Sequence, residues 1–246
     1  MDLQTLLFLT LALAAGAITK GATGIGLPLI ALPLLTAAVG LQQAIGIMLI
    51  PILATNLYQV WAYRGARTLP GVAFLPGFLL GGAVGIALGT WALDSWPERM
   101  LETGLGAMLL SYVVLRLARP EFTFSAVFAR RAGPAIGLAA GTLQGATGIA
   151  APIGVTFIHA LGLERRASVF AVSVMFLGFA AVQYPAIIFA GIYQLEWVWL
   201  GLFACVPILI FMPVGEWLGR RASPRLFDRL ILLFLFLAGM GMIFGF

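Results

Sequence analysis

The 246-residue chain is 62% hydrophobic and only 9% charged, whereas a soluble domain carries about 25% charged residues. That excludes a water-soluble globular domain and makes the chain an integral membrane protein. Its excess of base, 14 Lys and Arg against 9 Asp and Glu, is therefore read against a bilayer rather than against nucleic acid.

Ten apolar segments are predicted along the chain. The first half holds 3–19, 25–39, 43–63, 69–93 and 98–118, and the second 132–144, 149–163, 167–190, 195–219 and 226–245. A helix needs about 20 apolar residues, at about 1.5 Å of rise each, to cross the hydrocarbon core. The last three segments of each half meet that length. The first two are shorter, and are expected as short crossings or as half-helices that enter and turn back.

Those short pairs meet at a phrase that occurs twice. Residues 21–29 read Gly-Ala-Thr-Gly-Ile-Gly-Leu-Pro-Leu and residues 145–153 read Gly-Ala-Thr-Gly-Ile-Ala-Ala-Pro-Ile, six positions being identical at an offset of 124. A Gly/Pro break at matching places in two apolar halves points to a transporter binding site. Further echoes, Gly89-Thr90-Trp91 with Gly215-Glu216-Trp217 among them, support a duplication.

Charge sets the expected topology. Arg64 and Arg67 follow segment three, Arg116, Arg119, Arg130 and Arg131 follow segment five, and Arg165 and Arg166 follow segment seven. Arg220, Arg221, Arg225 and Arg229 surround the gap after segment nine. With these gaps cytoplasmic, 12 of the 14 basic residues lie inside, a strong positive-inside signal. Each half then crosses an odd number of times. The expected fold is all-α: two inverted-topology repeats of about five helical segments, 1–119 and 132–246, joined by a cytoplasmic linker at 120–131. The first helix pair of each is short or re-entrant and broken at Gly-Ala-Thr-Gly, and both termini lie outside.

The candidate site follows from the breaks. Gly21, Gly24, Gly26, Gly145 and Gly148 permit close approach and unusual dihedrals. Pro28 and Pro152 suit the first turn of a following helix. Such helix starts aim backbone N–H groups and a positive dipole end at a ligand, so two that face each other across an inverted repeat would hold an anion. Thr23 and Thr147 are expected to add hydroxyl donors, with Lys20 before the first break and Gln144 before the second. Asn56 and Gln59 share a helix face, and Gln183 is the counterpart of Gln59 at the same offset of 124. The ridge of Gly77, Gly81, Gly85 and Gly89 reads as helix packing.

The paired motifs, together with the run Leu161-Gly162-Leu163-Glu164-Arg165-Arg166-Ala167-Ser168, resemble the TauE/SafE family of sulfite exporters. The resemblance implies movement of sulfite, organosulfonates or related small anions across the bacterial cytoplasmic membrane. It places family motif positions at Gly21, Gly24, Pro28, Gly145, Gly148 and Pro152. Ala22, Thr23, Ala146 and Thr147 stand where many relatives carry glycine.

The expected function is export of a small anion by alternating access, with the substrate between the two breaks. The apolar spans carry no buried acidic relay, and an inside-negative potential by itself drives an anion outward. An anion channel and a proton-coupled organic-anion importer are the alternatives. No nucleophile elbow, carboxylate pair or metal-spaced His/Cys cluster is present. No enzyme activity, metal or cofactor is therefore expected, and the partners are the anion, the lipid bilayer and a second copy of the chain in a homodimer.

Overall fold

In the computed structural model, residues 3–24, 26–118, 123–221 and 224–245 are described. They form helices and turns, with no strand among the described residues. The helices are α1 (Leu3–Thr23), α2 (Leu27–Val39), α3 (Leu41–Ala62), α4 (Leu75–Ser95) and α5 (Glu98–Ala118). They are followed by α6 (Ala126–Thr147), α7 (Thr156–His159), α8 (Arg165–Phe189), α9 (Glu196–Arg221) and α10 (Pro224–Phe244). A π-helical turn, Ala151–Val155, runs directly into α7, and two 3₁₀ turns, Arg64–Thr68 and Pro70–Val72, join α3 to α4. Each of the ten apolar segments coincides with one helical stretch. α1, α3, α4, α5, α8 and α9 are long and apolar enough to cross a bilayer.

One expectation is corrected. The first helix of each half is not short: α1 has 21 residues and α6 has 22, whereas α2 has 13. Lys20 and Gly21 end the apolar run of the first segment but not its helix, since lysine is a good helix former and Gly21 is held by packing. α6 begins at Ala126, six residues before the apolar segment. The Ser125 side chain caps it by accepting Phe128 N at 3.2 Å, and Arg130 and Arg131 sit within its first turns as helix-compatible residues. Residues 120–122 of the expected linker are outside the described residues. Only the second member of each pair, α2 and the Ala151–His159 stretch, is short.

The chain forms two compact units, and neither is a contiguous half. The first comprises Met1–Pro51, Pro97–Ala118 and Tyr193–Phe246; the second comprises Ile52–Trp96 and Arg119–Ile192. The division falls at Pro51, inside α3.

In the first unit α1 packs along α9 with almost no side chain between them. Gly215 lies against the Ile18 carbonyl, Gly219 against the Ala22 backbone and Gly21 against Met212. Without lipid-excluded area to gain, membrane helices associate through such close backbone contact. α5 pairs with α10 at Gly106 and Gly239. Arg99 closes the C-terminal end of α10, donating from Nη1 to Met242 O at 2.9 Å and from Nη2 to Ile243 O at 2.6 Å. At the other end of the pair, Arg116 lies 3.6 Å from the Asp228 carboxylate. Glu98, at the start of α5, accepts from Leu41 N and so satisfies the first turn of α3 from another helix.

In the second unit α4 packs along α6 as the spacing of its glycines predicts. Gly81, Gly85 and Gly89 face the carbonyls of Pro134, Leu138 and Thr142, and Gly137, Gly141 and Gly145 face those of Phe78, Gly82 and Ile86. α8 packs on α4, with Phe179 against Gly82. Phe78 is stacked between Phe157 and Phe179, with centroids 5.9 and 5.7 Å away. That aromatic column is the core beneath the second helix break.

Candidate functional site

The two Gly-Ala-Thr-Gly copies end their helices in the same way. In the first unit Gly24 turns to φ +81° and its N–H donates to Lys20 O at 2.7 Å. In the second, Gly148 turns to φ +73° and donates to Gln144 O at 2.7 Å. This is the left-handed glycine cap, which needs a residue without Cβ strain. The motif's second glycine is thus a helix stop, while its first, Gly21 or Gly145, remains helical and lies against a neighbouring helix backbone.

The helices that follow begin as the prolines predict. Pro28 stands in the first two positions of α2, and Pro152 likewise in the Ala151–Val155 turn. Neither start is capped by a side chain. The copies diverge where the sequences do. Gly26 sits at φ +114°, whereas its counterpart Ala150 takes φ −96°; α2 is then α-helical and Ala151–Val155 is π-helical.

The motif threonines spend their protons locally. Thr23 donates to Thr19 O at 2.8 Å and Thr147 to Leu143 O at 2.7 Å. Each hydroxyl has one proton, so neither is the donor the sequence suggests, and Thr147 Oγ1 also accepts from Ile149 N at 3.4 Å.

Lys20 is 2% exposed, and among the described residues no other charged side chain is buried. It occupies the last turn of α1, where the helix dipole favours a cation. The second unit answers it with neutral polar groups. Gln144 Nε2 donates to Gln183 Oε1 at 2.9 Å, and Gln183 Nε2 donates back to Gln144 O at 3.0 Å. Gln183, from α8, thereby braces the end of α6, where helix carbonyls lose their own partners. Gln59 Oε1 accepts from Ser173 Oγ at 3.0 Å. Asn56 is turned to its own helix, Nδ2 donating to Ile52 O at 2.8 Å.

The structure therefore gathers the sequence candidates into two sets. Lys20, Gly21, Thr23, Gly24, Gly26 and Pro28 form the break of the first unit. Gln144, Gly145, Thr147, Gly148 and Pro152 form that of the second, with Gln183 bonded to it. Asn56 and Gln59 also belong to the second unit, Asn56 bonded to Ile52 O and Gln59 to Ser173 Oγ. His159 is exposed at the end of α7. Among the described residues no three His, Cys, Asp or Glu side chains gather as a metal site.

The sequence model of the sulfite exporter TauE/SafE family matches residues 8–242, taking in both breaks and both units. The chain belongs to the TauE/SafE family. No curated protein and no solved structure matched it. As a TauE/SafE member with six long apolar helices among the described residues, it is a multi-pass membrane protein of a family that exports sulfite and related anions.

Two buried residues of this TauE/SafE chain escaped the sequence reading. Ser173 is fully buried and holds Gln59; nothing marks one serine in an apolar helix as an interhelical donor. Thr90 is 4% exposed at the end of the glycine ridge. Its signal was its place beside Gly89, in a phrase that recurs in the other half.

Proposed function

We propose that this chain exports a small sulfur-containing anion, sulfite or an organosulfonate, as a secondary transporter working by alternating access. Both helix breaks bind along the anion's path. The observation that carries the reading is the matched geometry of the breaks: the same glycine cap, followed by the same proline start, at two places 124 residues apart in an anion-exporter chain. Two helix starts without a side-chain cap, and the buried Lys20 side chain, favour negative charge. An inside-negative potential supplies about 2.3 kcal/mol per charge per 100 mV for outward movement.

The inverted repeats 1–119 and 132–246, joined by a linker at 120–131, are part of this proposal. They are supported by a reciprocal exchange of helices. α4 of the first half packs on α6, the first helix of the second half, and α9 of the second half packs on α1. The contact of Arg99 with the last turn of α10 supports placing the C-terminus on the side of Arg99, away from the arginine clusters. This puts both termini outside the cytoplasmic membrane.

The test is efflux of radiolabelled sulfite from proteoliposomes under an imposed potential. Flux that accelerates with an inside-negative potential is expected, and flux indifferent to potential would overturn the driving mechanism. A reporter fused after Phe246 that is active only in the cytoplasm would overturn the topology.

A further inference from the structure

We infer that the segment joining the two halves is a latch on the second helix break, and that its release, Phe124 leaving α7, is a step of the transport cycle. This rests on the alternating-access reading above and names a moving part of it.

The stretch that follows the second break has little of its own to hold it. α7 is a single turn of four residues, Thr156–His159, and one turn of helix does not stand without packing. It is preceded by the π-helical turn Ala151–Val155, a rare geometry that is frequent at functional sites. Glycines in the left-handed region bound the stretch, Gly148 at φ +73° and Gly162 at φ +59°, so its backbone can turn freely at either end.

The far end is closed by the residues ahead of α6. Phe124 N donates to Ala160 O at 2.5 Å, satisfying a carbonyl past the last residue of α7. The Phe124 ring lies 6.0 Å from that of Phe157 and is backed by Phe128 at 4.6 Å. Phe157 in turn stacks on Phe78, and Phe78 on Phe179. With Phe124 beside it, Phe157 is only 3% exposed. Ser125, the next residue, caps α6. Two consecutive residues thus hold the start of α6 and the end of α7 together. Arg130 and Arg131 in α6, and Arg165 and Arg166 at the start of α8, follow these two points closely in the chain. On the topology above, the latch therefore lies at the cytoplasmic end of the unit.

Its place in the chain gives the latch its role. The short helix of the first unit is tied within its own half, where Glu98 of α5 accepts from Leu41 N just past the end of α2. α7 is tied instead by the segment between the repeats, the one covalent path from one half to the other. Alternating access rocks one repeat against the other, and such motion pulls on that segment. The pull reaches Phe124 and, through it, the end of the second break. The contact is one backbone hydrogen bond and one pair of rings, small enough to break and re-form in each turnover.

The test locks the latch without removing it. Cys205→Ser clears the chain's single cysteine. Thr123→Cys and Leu161→Cys then flank the bonded pair and leave Phe124 and Ala160 in place. Bridging the two thiols with a short bis-methanethiosulfonate in proteoliposomes should lower sulfite efflux at least tenfold, and reductant should restore it. Each single cysteine, treated alike, should export at its untreated rate. In wild-type protein, hydrogen exchange at the Phe124 amide should be faster during efflux under an inside-negative potential than without sulfite. Bridged protein that exports as fast as reduced protein, a pair of thiols that does not bridge, or exchange at Phe124 indifferent to turnover would overturn the inference. Where the paired cysteines by themselves stop export, the exchange measurement decides. Absence of sulfite flux from wild-type protein would instead remove the transport reading beneath it.

Discussion

Adding one methyl group at Gly21 should open the seam between α1 and α9. A Cβ on Gly21 would stand 2.9 Å from Glu216 N, with the Met212 carbonyl oxygen closer still, where ordinary contact begins at 3.4 Å. Both opposing groups are backbone within α9, so no side chain can swing aside. The helices must part by more than 0.5 Å, which also loosens the contacts at Gly215 and Gly219. Overpacking of this kind costs about 3 kcal/mol at the upper end of its usual range. Replacing glycine by alanine inside a helix recovers about 1 kcal/mol, for a net loss of about 2 kcal/mol. Gly104, on α5, is the control: nothing lies within 4 Å of its would-be Cβ, so Gly104→Ala should gain about 1 kcal/mol. Thermal unfolding in detergent, followed by a thiol- or tryptophan-based probe, should rank Gly104→Ala above wild type and wild type above Gly21→Ala. A Gly21→Ala protein that melts with or above wild type would refute the close-packing role of the motif's first glycine.

Lys20→Met should raise KM for sulfite at least tenfold; unchanged transport would make Lys20 a bystander. Gln183→Leu should lower stability by about 1–3 kcal/mol, because it strands a buried donor of Gln144. The double variant Gln144→Leu/Gln183→Leu should recover part of that loss, and purely additive melting shifts would deny that the two amides are coupled. Arg99→Gln should speed hydrogen exchange in the last turn of α10 with little change in melting, since Arg99 is largely exposed. Undisturbed exchange at Met242 and beyond would refute its capping role.

The order and number of helices were legible because each apolar run has its own polar or glycine punctuation. The motif's punctuation could be read as well: Gly24, Gly148, Pro28 and Pro152 act through backbone rules that local sequence carries whole. Helix lengths were less legible. Lys20 and Arg130 look like the ends of apolar runs, yet neither residue opposes helix formation, and burial of Lys20 depends on packing that no local pattern states. The hydroxyls were least legible. Thr147 and Thr90 look alike as single threonines near glycine, but one bonds its own helix and the other does not, and that choice is made by a rotamer. The pairings of α1 with α9 and α4 with α6 join residues far apart in the chain, so only the glycine ridge of α4 hinted at either.

The interleaving of the two units bears on how the protein is made. α1 leaves the ribosome first, but the surface that covers Gly21 arrives only with α9, nearly two hundred residues later. Until then its glycine face has no protein neighbour to meet its exposed backbone. α4 likewise waits for α6. The nascent chain therefore passes through a stage at which helices are inserted but not yet mated, and the first unit can close only once α9 and α10 have been made. A gene cut at the central arginines would not yield two self-sufficient halves, but two pieces each holding helices that belong to the other's core.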